Sequence, residues 1–300
     1  MKTSIHAVIA SEGPILADGG MGTTLFSRGL EQGMVPELWN VEHPEEIRGI
    51  HGDYIRAGAQ IILTNSFGGN RIRLSLHGVK DRVVELNRIA ARLARAEADT
   101  VEHPVVVGGS IGPTGSLLAP LGALTFDQAQ AAFKEQAGAL VEGGVDVLWI
   151  ETMLDLEEVR AAVEGCRVVA ADVPIVATMT FDSHGHTAMG VSPQDAVKAL
   201  AEFNLVAIGA NCGNGPEEIE AVIEKMYATN PEVVLIAKSN AGAPRLEDGQ
   251  PKYDATPESM ADHALKVQRL GARIIGGCCG STPDHIRAMS SALGGGSTAT

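Results

Sequence analysis

The chain has 300 residues, of which 45% are hydrophobic and only 4% aromatic, and its formal net charge is −14. This composition supports a large globular core built mainly from Ala, Val, Ile and Leu. The negative charge argues against nucleic acid or an anionic membrane as a partner, because both require basic surface.

Short β-branched runs alternate along the chain with longer segments of helical periodicity. The predicted strands, in chain order, are 14–18, 60–64, 104–109, 145–151, 174–180, 205–211, 232–238 and 272–277. The predicted helices that follow them are 43–58, 81–99, 125–144, 156–170, 192–203, 216–229, 256–271 and 282–293. The strands are nearly continuous apolar runs, which is typical of parallel strands covered on both faces.

Eight strand–helix units predict an α/β fold, a single-domain (β/α)8 TIM barrel over residues 1–293. A doubly wound open sheet is the alternative, but it usually has fewer strands in this length and an early glycine fingerprint. No interior linker, charge block or shift in composition marks a second domain. The last residues, 294–300 (GGGSTAT), are expected to form a disordered tail.

Three cysteines follow predicted strands, at the end of a barrel where function is usually located. Cys212 follows the sixth strand, and the adjacent Cys278 and Cys279 follow the eighth. These strands lie two places apart around a barrel, so the loops can converge, and three thiolates suit Zn²⁺. Gly277 and Gly280 would permit the sharp turn that adjacent ligands require. On spacing alone, a vicinal disulfide or two packed core cysteines remains an alternative.

Other polar and sulfur-containing residues have simpler interpretations. Cys166 lies in mid-helix and is expected to be a buried small hydrophobe. His184 and His186 are expected in a polar loop rather than at a metal. Asp18 and Glu151 each end a strand, where a carboxylate could bind a substrate ammonium or serve as acid and base; a capping role is the alternative, chiefly for Asp18.

The N-terminal segment and the cysteine content indicate a cytoplasmic protein. Residues 1–13 lack the long apolar region of a signal peptide, and no apolar run approaches the roughly 20 residues needed to span a bilayer. Four cysteines in so long a chain do not make a disulfide framework, so metal binding or catalysis explains the clustered ones better.

Several segments together resemble the homocysteine S-methyltransferase family. They are DGGMGT (18–23), LTNSFGGN (63–70), GSIGPTG (109–115), GANCGNGP (209–216), SNAGAP (239–244) and GGCCGSTPDHI (276–286). The resemblance extends from about residue 12 to 292, and the combination of NC with GGCC is highly specific. It implies a TIM barrel, methionine formation from homocysteine, and one Zn²⁺ held by the three catalytic thiolates of Cys212, Cys278 and Cys279.

The resemblance also implies which residues bind homocysteine. Asp18 and Glu151 would hold its amino group. Three residues would line the same pocket, namely Thr64, Asn211 and Asn240. Backbone amides would face its carboxylate, with candidates at Gly20, Met21, Gly22 and Ser110.

The methyl donor is less clearly indicated. Betaine-using members carry a tyrosine directly after the aromatic residue of the second-strand motif, whereas here Phe67 is followed by Gly68. SNAGAP and GGCCGSTP look most like the homocysteine domain of cobalamin-dependent methionine synthase. The leading hypothesis is a stand-alone homocysteine module that takes its methyl group from methylcobalamin on a partner corrinoid protein. Betaine or another onium donor such as S-methylmethionine is the alternative.

Two other classes stay open. Lys238 ends the seventh predicted strand, where aldolase chemistry would place a Schiff-base lysine. A zinc-binding relative without activity would keep the same residues.

Overall fold

Ten strands are present in the computed structural model of the protein, which describes residues 3–247 and 250–294. They are β1 (Ile15–Leu16), β2 (Ile61–Leu63), β3 (Val106–Ile111), β4 (Val147–Met153), β5 (Ile175–Met179), β6 (Ala207–Cys212), β7 (Leu235–Ser239), β8 (Arg245–Glu247), β9 (Gln250–Lys252) and β10 (Ala272–Gly277). All but β8 and β9 form one parallel sheet in the order β1-β10-β7-β6-β5-β4-β3-β2. A parallel bridge between Ala17 and Ile61 joins its two ends, so the sheet closes into a barrel.

Helices surround this barrel. They are α1 (Ile5–Ala10), α2 (Met21–Ser27), α3 (Trp39–Glu42), α4 (Pro44–Arg56), α5 (Arg71–Ser75), α6 (Val83–Ala98), α7 (Phe126–Gly143), α8 (Leu156–Val169), α9 (Pro193–Ala201), α10 (Pro216–Thr229), α11 (Pro257–Arg269) and α12 (Pro283–Ala292). Short 3-10 turns lie at Pro36–Leu38 and Lys80–Arg82. The TIM-barrel prediction is confirmed, and the open-sheet alternative is wrong because the sheet closes.

The long helices begin and end at local signals in the sequence. The Thr125 side chain accepts a hydrogen bond from the Gln128 amide, and Gln128 bonds back to Thr125, which forms a capping box at the start of α7. Gly144 ends this helix with φ of 102°, a left-handed conformation that glycine adopts without a steric penalty. Ser192 and Thr256 cap α9 and α11 in the same way as Thr125.

The first helix closes the end of the barrel opposite the predicted site. Ile5 and Val8 pack into the barrel interior with the inward-facing strand residues, among them Trp149 and Ile274. The Thr3 amide bonds Asp146 Oδ1 just before β4 begins, which places the segment at the amino-terminal ends of the strands. Sequence periodicity does not predict this element, because six residues are too few to establish a period.

Two further expectations concern the ends and surface of the molecule. No helix within residues 3–247 and 250–294 is both long and apolar enough to cross a membrane. The tail expected at 294–300 lies outside the described residues, apart from Gly294.

Ile5→Ala should destabilise the barrel by about 2–5 kcal/mol, because it removes a fully buried side chain from a packed interior. Equilibrium urea unfolding measures the loss. Val168→Ala, at a side chain that is 61% exposed on α8, is the matched control and should change stability by less than about 0.5 kcal/mol. Equal losses in the two variants would contradict the role given to α1.

Candidate active site

Three cysteine side chains meet at the carboxyl end of the barrel. The Sγ atoms of Cys212, Cys278 and Cys279 all lie within 4.8 Å of one another, and Cys212 Sγ is 3.0 Å from Cys278 Sγ. Cys212 is the last residue of β6, and the other two directly follow β10. No other group of three metal-binding side chains occurs among the described residues. This cluster could hold a metal ion.

The backbone conformation at these residues aims the thiols at one point. Cys212 has φ of 64°, which an L-residue with a side chain adopts only at a cost of about 1–3 kcal/mol. Gly280 has φ of 80°, and it lets the chain turn directly after the two adjacent cysteines. A side chain at Gly277 would clash, because its Cβ would lie 2.2 Å from Ser281 Oγ.

Asn240 links the two cysteine loops. Its Oδ1 accepts a hydrogen bond from the Cys279 amide at 3.0 Å, and its Nδ2 donates to the Gly213 carbonyl at 2.6 Å. The Cys278 amide is also fixed, because it donates to the Ser239 carbonyl at 2.7 Å. One amide side chain thus sets the separation between Cys212 and the vicinal pair.

Asn211 links Cys212 to strands β4 and β5. Its Oδ1 accepts from the Thr152 amide at 2.8 Å and from Thr178 Oγ1 at 2.7 Å. Its Nδ2 donates to Thr152 Oγ1 at 2.7 Å and points to Cys212 Sγ at 3.5 Å. The polar atoms of Asn211 and Asn240, which were expected to line the pocket, are used to position the cysteine loops.

The three thiols cannot all ionise without a cation. Hydrogen bonds from Cys212 and Cys278 lower the pKa of Cys279, whereas the hydrogen bond with Cys278 raises the pKa of Cys212. One thiolate is therefore held by two neighbouring thiols. A soft divalent cation would replace those shared protons, and three sulfur ligands are the donors that Zn²⁺ prefers. The donor set fits a zinc ion.

A cavity of about 260 Å³ opens beside the cysteines. Ten of the twelve residues expected at the site line it, namely Asp18, Gly20, Met21, Gly22, Thr64, Ser110, Glu151, Cys212, Cys278 and Cys279. They come from the carboxyl ends of different strands and from the loops that follow, which the barrel brings together at one end.

Glu151 is a buried carboxylate with spare bonding capacity. Its Oε1 accepts a hydrogen bond from Ser110 Oγ at 2.5 Å, and no described residue bonds its other oxygen. Burial, and to a smaller extent Cys278, raise the pKa of Glu151 to about 7, although Lys238 and Ser110 oppose the change. Its ionisation is therefore expected near neutral pH.

Asp18 is already paired within the protein. Lys238 Nζ lies 2.6 Å from Asp18 Oδ1, and both side chains are only 2% exposed. The Leu63 amide donates to Oδ2 at 2.7 Å. Burial alone would lower the pKa of Lys238, but the carboxylates of Asp18 and Glu151 outweigh it and raise that pKa. A Schiff-base lysine must be neutral to react, so this pairing is unfavourable for the aldolase alternative.

The four backbone amides proposed for the substrate carboxylate are not equally free. The Gly20 amide donates to the Ser281 carbonyl at 3.2 Å, and the Ser110 amide donates to Thr64 Oγ1 at 3.0 Å. The amides of Met21 and Gly22, in the first turn of α2, have no partner among the described residues. These two remain as donors for a ligand.

The cavity has a second polar group that sequence reasoning missed. Glu37, 4% exposed, accepts a hydrogen bond from the Gly68 amide at 2.6 Å, and burial raises its pKa. The Arg73 guanidinium lies 5.7 Å from the centre of the Phe67 ring. Phe67 and Arg73 follow β2, and Glu37 joins them through its bond to Gly68. Because β2 is four places from β6 in the ring of eight strands, this group lies across the opening from Cys212. Residue 37 is far in sequence from residues 67–73, so no short motif in the sequence predicts that they meet.

The remaining candidates lie away from the cluster. Cys166 is fully buried in α8, and burial raises its pKa to about 12, as expected for a core residue. His184 and His186 are exposed in a loop whose amides bond Asp182 Oδ1 at 2.9 and 3.2 Å.

The chain is similar to known proteins in sequence and in fold. A family model described as homocysteine S-methyltransferase matches residues 15–293. The methionine synthases of Mycobacterium leprae (strain TN) and Mycobacterium tuberculosis (strain ATCC 25618 / H37Rv) are each 31% identical, over 93% and 95% of this chain. The chain spans about a quarter of the length of these relatives, 24% and 25%. The metallated form of the homocysteine methyltransferase MmuM from Escherichia coli superposes with a TM-score of 0.80 at 28% identity, over 96% of this chain and 99% of that chain.

In the metal-free protein, burial of the ionised Glu151 carboxylate should lower the free energy of unfolding at high pH, and Glu151→Gln should remove this pH dependence. The unfolded carboxyl titrates near its ordinary pKa of about 4.3, whereas the folded one keeps its proton until about pH 7. Between these values the folded state binds more protons, so stability falls as pH rises. Between pH 5 and 8 the free energy of unfolding of the wild type, measured with urea, should fall by roughly 3 kcal/mol relative to that of the variant. Parallel pH curves would contradict this assignment.

Asn240→Ala should weaken metal binding about 10- to 100-fold, because the two cysteine loops lose their shared support. Titration with Cd²⁺, followed by thiolate-to-metal absorption, measures the affinity. Asn214→Ala is the matched control: this exposed residue lies in the loop after β6, close to Cys212 in sequence, and its side chain bonds Glu218 rather than the vicinal pair. Equal affinity in both variants would refute the bridging role.

Proposed function

Because the chain belongs to the homocysteine S-methyltransferase family, we propose that it transfers a methyl group to the thiol of homocysteine and forms methionine. The family and the enzyme class expected from the motifs are thereby confirmed. The observation that carries the proposal is the convergence of Cys212, Cys278 and Cys279 beside a cavity that also contains Glu151.

The cysteine cluster is proposed to bind one Zn²⁺ per chain. A zinc ion on three thiolates would bind the substrate sulfur as a thiolate and release its proton at neutral pH. Asn211 and Asn240 hold the cysteine loops in place for this binding. All four cysteines are free, which also supports the proposed cytoplasmic location, where thiols stay reduced.

The protein orients homocysteine by its polar ends. The unpaired oxygen of Glu151 accepts the α-ammonium, and Ser110 fixes the carboxylate that provides it. The free amides of Met21 and Gly22 face the α-carboxylate. With both ends fixed, the thiol is directed toward the cysteines, and much of the catalytic effect comes from this orientation.

The chemical step is an in-line displacement. The substrate sulfur forms a bond to the methyl carbon while the bond between that carbon and the donor breaks. The bonding electron pair leaves with the donor, and the thiol proton departs when the substrate binds. The donor must therefore lie on the far side of the methyl group from the cysteines.

The leading proposal for the donor is methylcobalamin carried by a partner corrinoid protein. The sequence similarity to methionine synthases over most of this chain supports it. A cavity of about 260 Å³ is too small for a corrin ring, so the partner would dock over the opening.

A small onium donor such as S-methylmethionine or betaine is the second candidate. The Glu37, Phe67 and Arg73 group favours it, because the group offers both charges across the opening from Cys212.

The decisive test is methyl transfer to homocysteine by zinc-loaded protein, with methylcobalamin, betaine and S-methylmethionine compared as donors. Methionine should form with at least one donor. Cys212→Ala should lose the bound zinc and at least about 100-fold in rate, since changes outside the ligand set alone cost 10- to 100-fold. Cys166→Ala, at the cysteine outside the cluster, should keep both.

Each contrary result has a distinct meaning. Zinc binding without methionine from any donor would indicate the inactive relative. Full activity after thorough chelation, or in Cys212→Ala, would overturn the zinc proposal. Turnover with betaine alone would reverse the order of the two donors.

A further inference from the structure

Asp18 and Glu151, two of the carboxylates that line the cavity, are in different bonding states. Both oxygens of Asp18 are used, because Oδ1 is 2.6 Å from Lys238 Nζ and Oδ2 accepts the Leu63 amide at 2.7 Å. The same ammonium also donates to the Asp18 backbone carbonyl at 3.2 Å. Asp18 and Lys238 are thus locked together from two directions.

Glu151 is the less satisfied of the two. Ser110 Oγ supplies its one hydrogen bond, to Oε1, and its other oxygen has no partner in the described part of the chain. The residue is 7% exposed and lines the cavity. An incoming ammonium therefore finds an oxygen without a partner on Glu151, whereas Asp18 is already paired with the Lys238 ammonium.

The charges lead to the same distinction. When both carboxylates are ionised, Asp18 and Glu151 contribute two negative charges and Lys238 one positive charge, so these three side chains carry one net negative charge. A single ammonium neutralises it when bound at Glu151. Placing that ammonium on Asp18 would bring two cations to one carboxylate in a buried site, where like charges repel strongly.

We infer that the ion pair with Lys238 keeps Asp18 from binding the substrate ammonium. Glu151 alone then receives this ammonium, and Asp18 acts as a positioning residue. This inference rests on the proposed function. It differs from the expectation that both carboxylates hold the amino group, and it gives Lys238 a part in substrate selection. Of Asp18 and Glu151, Lys238 leaves only Glu151 without a cationic partner.

The test compares binding of homocysteine with that of 4-mercaptobutanoate, which has the same thiol and carboxylate but no amino group. Isothermal titration calorimetry on zinc-loaded protein measures both dissociation constants without turnover. The wild type should prefer homocysteine by about 10- to 100-fold, the value of one charge-assisted hydrogen bond. Glu151→Gln should reduce this preference to within about threefold.

The matched variant is Asp18→Asn combined with Lys238→Gln, which keeps a hydrogen-bonded pair of similar size but removes both charges. It should retain the wild-type preference for homocysteine, whatever its absolute affinity. Loss of that preference in the double variant, or its persistence in Glu151→Gln, would overturn the inference. If the wild type bound neither thiol, the proposed function itself would fail.

A crystal structure of the wild type with homocysteine supplies a measurement that does not depend on variants folding. The substrate nitrogen should lie within hydrogen-bond distance of Glu151 and Lys238 should stay on Asp18. A substrate nitrogen on Asp18, with Lys238 displaced, would refute the assignment.

Discussion

Closure of the parallel sheet by β1 is the constraint on which the site depends. This two-residue strand pairs with β10 through Ile15 and Leu16, and Ala17 completes the ring by bridging to Ile61. Once the ring is closed, the loops after all eight strands face one opening. Cys212 and Cys278, which are 66 residues apart in sequence, then come within 3.0 Å, and Asp18 enters the same cavity.

Around that opening, one layer of residues meets the ligand and a second layer holds the first. The thiols and Glu151 face the cavity, whereas Asn211, Asn240 and Ser110 hold them through hydrogen bonds. Such support matters because a displacement of about an ångström at a reacting group can cost orders of magnitude in rate. The supporting amides and hydroxyls lie at strand ends, so the rigidity of the barrel is passed directly to the site.

The sequence predicts what depends on period and strand order. The eight strands follow from short apolar runs, and the long helices follow from helical periodicity. The meeting of the cysteine loops follows from strand order, because Cys212 and Cys278 come at the ends of the sixth and eighth of these strands. It does not predict the Asp18–Lys238 pair, because nothing local links residues 220 positions apart. It also assigns Asn240 to the cavity wall, since a motif shows that a residue is near a site but not which way its amide points.

The left-handed backbone at Cys212 sets a limit on engineering this protein. Glycine or asparagine would occupy φ of 64° more comfortably, so either should make the folded chain more robust while removing a sulfur from the cluster. Screens that reward heat tolerance alone would therefore select against this cysteine. Thermostable versions should instead be sought on the opposite rim, around α1, where improved packing leaves the chemistry untouched.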